Sequence, residues 1–375
     1  MKKIKVLFFL STLERTGPTS VVYNIIKFID RDLIEPIILT MSPEPSNSAI
    51  LDFKKLGIQV VQLNLDRVQL FIKGWKGLIS KINEIEPDII HSHSLRPDLF
   101  CAFFLKIPTI TTIHANLEEN YVDTYGNLIG RMFAFVQIES AKRLICKVAC
   151  SISVFDLYRK QLPSLTFVQN GVDTTIFSPL TKDQIKGQRS KLGLPLEKKI
   201  FVSVGSLSLR KDPETLIKGF LGSHDLENSL LLILGTGEIA DRLRILFQLN
   251  NNVVFLGFTS NVASYLRVAD FFISASISEG LPNTVMEALA CGLPVCLSDI
   301  PSHREILMIN PKAGRLFKVH DSEDLSLRID EILSEDQNLI RESSIELIRN
   351  NLNAKNMAFQ YLKLYHQVFN GRISI

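Results

Sequence analysis

Short runs of β-branched and aromatic residues alternate with helix-length amphipathic segments along this chain, and the series runs twice. The alternation narrows the fold more than any other feature, because a strand that rejoins its sheet after a crossover helix lies parallel to its neighbour. In the first series residues 4–10, 35–40, 59–63, 88–91, 109–114 and 144–151 read as strands, separated by helical segments at 19–29, 70–85, 97–105 and 128–141. In the second, 199–204, 230–234, 253–256, 271–274 and 294–297 read as strands with helices between them. Both series predict doubly wound α/β domains with parallel sheets. Three closing helical segments, 323–333, 336–350 and 356–369, have no strand after them, and the last is placed to return to the first domain.

A length of 375 residues agrees with two cores rather than one. The expected boundary lies between Val168 and Leu196, where Asn170-Gly171-Val172-Asp173 supplies a turn and Pro179 and Pro195 interrupt helices. This divides the chain into residues 1–168, with a C-terminal helix at 353–375 packing back on them, and residues 169–352. Ligands of open parallel sheets bind beyond the carboxyl ends of the strands, so two such domains facing each other predict an interdomain cleft.

Composition removes several classes. With 46% hydrophobic and 22% charged residues, the chain is neither disordered nor fibrous, and no apolar run reaches the roughly 18–20 residues of a membrane span. The start, Met1-Lys2-Lys3-Ile4-Lys5, runs directly into a strand without a separate apolar segment, so no secretory signal is expected and the chain is expected in the cytoplasm. Five cysteines without a C-x-x-C pair, each among apolar neighbours, predict buried thiols rather than bridges or a metal site. The net charge of +3 does not point to nucleic acid. Its distribution is uneven: residues 1–165 carry 20 Lys/Arg against 16 Asp/Glu, the remainder 22 against 23. The excess gathers in 70–78 and 131–147, where basic residues alternate with bulky apolar ones. A solvated helix face beside a core stripe and contact with a membrane both fit that pattern.

The stretch richest in chemistry is Ser276-Ile-Ser-Glu279-Gly280-Leu281-Pro282-Asn283, with Glu287 following. Pro282 suits the first turn of a helix and puts Glu287 about a turn and a half inside it. A helix start offers backbone N–H groups and a positive dipole end to a phosphate, and two carboxylates can accept hydrogen bonds from vicinal hydroxyls. Either Glu alone reads as a helix-start acid or a solvated surface acid; the full string is more specific. Gly235 and Gly237 look like part of a dinucleotide fingerprint, but the third glycine at the required spacing is missing. Ser302-His303-Arg304-Glu305 reads equally as a pocket border or as a helix start at Pro301.

Glu279-x7-Glu287, followed by Ala288-x-Ala290-x-Gly292-x-Pro294-Val295, resembles the retaining nucleotide-sugar glycosyltransferases of the GT-B fold, specifically glycosyltransferase family 4. The resemblance covers essentially the whole chain. Matches in the family's order are Thr16-Gly17-Pro18-Thr19, His91-Ser-His93, Thr112-Ile-His114, Asn170-Gly-Val-Asp173, Val204-Gly205 through Arg210-Lys211, Leu234-Gly235-Thr-Gly237 and Val254-Phe-Leu-Gly257.

The resemblance implies an N-terminal acceptor-binding and a C-terminal nucleotide-sugar-binding Rossmann-like domain. It assigns the ribose hydroxyls to Glu287, and the donor sugar and diphosphate to Glu279 with the amides of Gly280, Leu281, Pro282 and Asn283. Pro282 itself brings no N–H. Lys211 matches the diphosphate-binding lysine, against the plainer reading of a solvated Lys beside Asp212. The family's Arg after this Gly is replaced by Ser206, and Arg210 is either its substitute or an exposed loop cation. His114 matches the histidine at the donor sugar. Of His91 and His93, one is expected to be buried and one to face the cleft.

Gly17 allows close backbone approach to phosphate or sugar, and because Pro18 lacks an N–H, donation there falls to Gly17, Thr19 or Ser20. The Gly235–Gly237 loop is implied to help position the base, with Gly237-Glu238 opening a helix.

No metal and no cofactor are implied; the substrates are a nucleoside diphosphate sugar, expected to be a UDP-sugar, and a hydroxyl of a growing, lipid-linked glycan. The expected enzyme is a retaining hexosyltransferase of cell-surface polysaccharide synthesis, peripheral on the inner membrane face, with Trp75, Phe100 to Phe104, Lys73, Lys76, Arg131, Lys142 and Arg143 at the lipid. A UDP-sugar 2-epimerase of the same fold and a non-catalytic glycan-binding member are the alternatives.

Overall fold

The computed structural model describes residues 2–65 and 75–371, and the chain divides into two compact units. The first comprises Met1–Gly171 and Ala354–Ile375, the second Val172–Asn353.

In the first unit the strands are β1 (Ile4–Leu10), β2 (Ile34–Thr40), β3 (Gln59–Gln62), β4 (Ile89–His93), β5 (Thr109–Ile113), β6 (Cys146–Ala149) and β7 (Leu165–Phe167). They form a parallel sheet in the order β3-β2-β1-β4-β5-β6-β7. Helices cover both faces, so the central strands are buried on both sides and read as unbroken apolar runs. β1 shows this best: Val6, Leu7, Phe8 and Phe9 have no exposed surface, and each buried side chain of this size contributes about 1.5–3 kcal/mol. The sheet order reverses between β1 and β4, which makes their carboxyl ends the place for a ligand.

The helix Ala354–Phe369 closes this unit. It packs against the helix Gly17–Phe28 and inserts the fully buried Tyr361 and Tyr365 towards β4 and β5. A second buried network holds the opposite face. Asp98 Oδ1 accepts from Ser92 Oγ at 2.6 Å and Thr111 Oγ1 at 2.8 Å, and Oδ2 accepts from Gln137 Nε2 at 2.8 Å. Burial raises this carboxyl to about 6 although all three hydrogen bonds work in the other direction.

The second unit contains β8 (Lys199–Val204), β9 (Ser229–Leu234), β10 (Val253–Gly257), β11 (Phe271–Ser274), β12 (Val295–Ser298) and β13 (Gly314–Phe317), all parallel, in the order β10-β9-β8-β11-β12-β13. Its switch point lies between β8 and β11. All five cysteines are buried free thiols.

Several boundaries differ from the sequence expectation. The helix expected from residue 19 begins at Gly17, because Pro18 fits the first turn. Ser20 N–H closes that turn on the Thr16 carbonyl and is therefore not a ligand donor. The helix expected to open at Gly237-Glu238 begins at Ala240. β7 and β13 add to the expected strands. Residues 70–74 of the expected 70–85 helix, and residues 372–375 of the last, lie outside the described residues; the described helices are Trp75–Ile85 and Ala354–Phe369.

Candidate active site

The chain after β8 turns through a short 3-10 segment, Leu209–Lys211, and stops at Asp212, whose backbone is left-handed (φ 44°). Asp212 caps the next helix, Pro213–Leu221, by accepting from Thr215 N at 3.3 Å. Arg210 and Lys211 are thereby held at the strand end, and both meet Glu279, which follows β11 across the switch point. Lys211 Nζ bonds Glu279 Oε1; Arg210 Nη1 donates to the Ser278 carbonyl at 2.6 Å and lies 3.4 Å from Glu279 Oε2. Lys211 is thus not the solvated lysine of the plainer reading, its side chain being 21% exposed. Arg210 is not a stray loop cation either, while Ser206 is exposed. Burial opposes ionisation of Glu279, but Lys211 and then Arg210 outweigh it and hold the acid at about 2. The second unit thus contains a carboxylate with two cations beside a cavity lined by the 203–207 segment, Lys211 and the 274–276 segment.

A polar chain that the sequence did not announce fixes Glu279 from below. Ser276 Oγ donates to Glu279 Oε1 at 2.8 Å, Ser298 Oγ donates to the Ser276 carbonyl at 2.5 Å, and His303 Nδ1 donates to the Ser298 carbonyl at 2.8 Å. The Ser298 carbonyl can only accept, so the His303 proton sits on Nδ1. Burial takes this imidazole down to about 4. In Ser302-His303-Arg304-Glu305, then, Ser302 and His303 turn inward at the start of the helix Pro301–Ile309, and Arg304 pairs with Asp299 at the surface.

The helix Asn283–Ala290 starts at Pro282 with no side-chain cap, and Gly280, Leu281 and Pro282 before it are buried. Glu287 lies in its second turn, largely buried, with no hydrogen-bonding or ion-pairing side chain beside it among the described residues. Burial alone lifts its carboxyl to about 7. Gly235 and Gly237 have a packing reason. A Cβ at Gly235, where φ is +143°, would stand 1.8 Å from the Gly205 carbonyl oxygen, and one at Gly237 would stand 2.3 Å from that of Leu207. These glycines let the β9 loop lie on the β8 loop that carries Lys211.

In the first unit His91, His93 and His114 form one cluster at the ends of β4 and β5. Both His91 and His93 are buried, so the expectation that one of them opens to a ligand is corrected. Tyr361 and Tyr365 cover the face on which His91 lies, and Phe8 stacks on His93. His114 is the partly exposed member, and its Nε2 lies 2.9 Å from His93 Nδ1. Burial lowers all three imidazoles, His91 to about 3 and His114 to about 4. Gly17 opens its helix at the end of the β1 loop. Among the described residues no group of His, Cys, Asp and Glu is arranged to hold a metal, and no helix is long and apolar enough to cross a membrane.

The residues expected at a lipid surface divide. Trp75 is not presented outward but lies against the fully buried Phe100, 5.3 Å between centroids, while Phe103 and Phe104 are about half exposed. Arg131 pairs with Glu118 and Lys142 with Glu139, Arg143 lies over Phe103 at 4.3 Å, and Lys73 is outside the described residues. An apolar face that the expectation did not single out runs along the helix Asn127–Lys142: Leu128, Ile129, Met132 and Phe135 are exposed on it.

The family model described as Glycosyltransferase Family 4 matches residues 15–176, and that described as Glycosyl transferases group 1 matches residues 184–351. The chain is 27% identical over 270 residues to a UDP-Gal:alpha-D-GlcNAc-diphosphoundecaprenol alpha-1,3-galactosyltransferase of Escherichia coli, covering 67% of this chain and 68% of that one. It is 24% identical over 379 residues to the O-antigen biosynthesis glycosyltransferase WclY of Escherichia coli, covering 98% and 99%. With the alpha-monoglucosyldiacylglycerol synthase of Acholeplasma laidlawii the match spans 62% of the relative, less than two thirds of its length. Among solved structures, Anabaena Alr3699/HepE in complex with UDP superposes with a TM-score of 0.81 at 17% identity over 97% of this chain and all of that one. At that identity the likeness establishes the two-unit GT-B fold alone.

Proposed function

We propose, from the premise that the chain belongs to the glycosyltransferases through a Family 4 and a group 1 domain, that it is a retaining hexosyltransferase. Its donor is a UDP-sugar, and its acceptor is a hydroxyl of a lipid-linked glycan in cell-surface polysaccharide synthesis. The observation that carries this reading is the meeting of Lys211 and Arg210 with Glu279 at the β8/β11 switch point, with the helix of Glu287 directly following. Glu279 offsets one of the two positive charges of Lys211 and Arg210, which leaves a net charge of one cation for an anionic ligand. A diphosphate brings the charge that draws Lys211 away, and Lys211 then stabilises the charge that develops on the leaving nucleotide, where most of the barrier reduction lies. Glu287, with no side-chain partner among the described residues, accepts from the ribose hydroxyls. In the second unit Glu279 addresses the donor sugar; in the first, His114 is read as a donor-site residue from its match to the family's histidine. The leaving phosphate oxygen takes the acceptor's proton on the same face of the sugar, so no carboxylate nucleophile is needed and configuration is retained.

Uridine and a polyprenyl-linked acceptor are supported by the donor and acceptor for which the Escherichia coli galactosyltransferase is named and by the UDP bound to Alr3699/HepE. The exposed apolar face 128–135 and the half-exposed Phe103 and Phe104 support attachment of the first unit to an anionic membrane where such an acceptor resides. The test is a thermal-shift panel of UDP, GDP and ADP, followed by NMR of the anomeric centre of the product. A ligand at about 100 times its dissociation constant adds roughly 2.7 kcal/mol to the folded state. Stabilisation by GDP or ADP without UDP would overturn the donor, and an inverted product the mechanism.

A further inference from the structure

His93 and His114 share one hydrogen bond, and its direction can be derived. At neutral pH both rings are neutral, so each carries a single proton and the contact between His93 Nδ1 and His114 Nε2 contains one of them. The other nitrogen of His93, Nε2, is buried and has no hydrogen-bond partner among the described residues. His91, although its ring lies 4.2 Å away, cannot serve it: His91 Nδ1 meets Tyr365 OH at 2.8 Å and Nε2 meets Thr112 Oγ1 at 2.8 Å. If His114 were the donor in the shared bond, His93 would have to keep its proton on Nε2, leaving a buried N–H with no acceptor. If His93 is the donor, what remains at Nε2 is an unfilled lone pair. Buried orphan donors are rarer and more costly than under-used acceptors, so the second arrangement wins. His114 then accepts at Nε2 and carries its own proton on Nδ1, the nitrogen left to a ligand.

We propose that His93 is a positioning residue that holds His114 in its Nδ1–H form, so that His114 meets an oxygen of the donor substrate, a sugar hydroxyl or a phosphate oxygen, as a hydrogen-bond donor. The proposal rests on the reading of His114 as a donor-site residue. The position of His93 is overdetermined: Phe8 stacks on its ring, and β4 and β5 hold His93 opposite Thr112, two residues before His114. On paired strands that register sets both imidazoles on one face of the sheet.

The experiment is 15N–1H correlation of the histidine rings in the full chain, with His114 assigned from a His114→Asn sample, joined to steady-state kinetics. Three proteins are compared. His93→Asn keeps an N–H donor where Nδ1 stood; His93→Phe keeps the stacked ring and removes the donor. The expected result is protonated Nδ1 and bare Nε2 on His114 in the parent and in His93→Asn, with kcat nearly equal. His93→Phe is expected to show mixed or Nε2–H His114 and a kcat lower by about tenfold or more, with UDP affinity unchanged where His114 meets a sugar hydroxyl and weakened where it meets a phosphate oxygen. Protonated Nε2 on His114 in the parent overturns the proposal, as does a His93→Phe protein with parental tautomer and kcat. Should His93→Phe fail to fold, the parent spectrum and His93→Asn decide alone. If the tautomer is as stated but no UDP-sugar binds, the functional reading fails and the positioning role stands.

Discussion

The ionisation of Glu287 links pH to donor binding with a magnitude that follows from its setting. Its carboxyl lies at about 7 because burial penalises the charge and no cation offsets it. Only the ionised carboxylate accepts from both ribose hydroxyls with charge assistance, so the affinity of a UDP-sugar should fall with the ionised fraction. That fraction is about nine tenths at pH 8 and about one tenth at pH 6, which predicts roughly tenfold weaker binding at pH 6, about 1.4 kcal/mol. Isothermal titration with a UDP-sugar measures it cleanly, since its diphosphate diester does not titrate in this window whereas free UDP does.

Glu287→Gln should bind more weakly than the parent at pH 8 and show no such slope. Stability moves the opposite way. The folded-state value lies above the unfolded one near 4.5, so the charged form is disfavoured in the fold, and stability contributed by the protonated acid is lost as pH rises from 4.5 through 7. Glu287→Gln should therefore be more stable than the parent at pH 8, by at most about 3 kcal/mol, and lose that advantage near pH 4.5. A flat affinity profile in the parent, or an equal slope in the Gln variant, would refute the assignment of Glu287 to the ribose.

Three further outcomes are expected. Lys211→Ala should lower kcat by more than tenfold while changing nucleotide affinity less, because its charge matters most when the diphosphate departs; an unaltered kcat removes it from the mechanism. Gly235→Ala should destabilise the second unit by roughly 3 kcal/mol or more in denaturant titration, since the new Cβ has no room against the Gly205 carbonyl; a mild effect would show that the two loops can separate. Co-sedimentation of the parent with anionic vesicles should fade with salt and be reduced in a Leu128→Asp/Phe135→Asp variant, and equal recovery in the supernatant with and without anionic lipid would end the proposal of membrane attachment.

What could be read from the sequence follows from where burial is symmetrical. β1, β8 and β11 are covered on both faces, so their bounds coincide with apolar runs at 4–10, 199–204 and 271–274. β7 and β13 are edge strands of three and four residues, Leu-Thr-Phe and Gly-Arg-Leu-Phe, too short to show any period. The helix Lys182–Lys191 could have been found, for Thr181 and Gln184 form a capping box whose T-x-x-Q spacing is visible. At the site, residue types were legible and protonation was not. Glu279 and Glu287 are eight positions apart in one motif, yet two cations hold one at about 2 and burial leaves the other at about 7.

The histidines make the same point over a longer distance. The period of two in β4 places His91 and His93 on one face, but only the β4–β5 register brings in His114, and only the helix Ala354–Phe369 supplies Tyr361 and Tyr365. A returning segment more than 240 residues away in sequence thus occupies the hydrogen-bonding capacity of His91, through Tyr365 directly and through Tyr361 by way of Thr112. With His91 so engaged, Nε2 of His93 has nowhere to donate, and the proton in the His93–His114 bond must belong to His93. The form in which His114 meets its ligand is therefore decided by packing at the far end of the chain, which no local motif records.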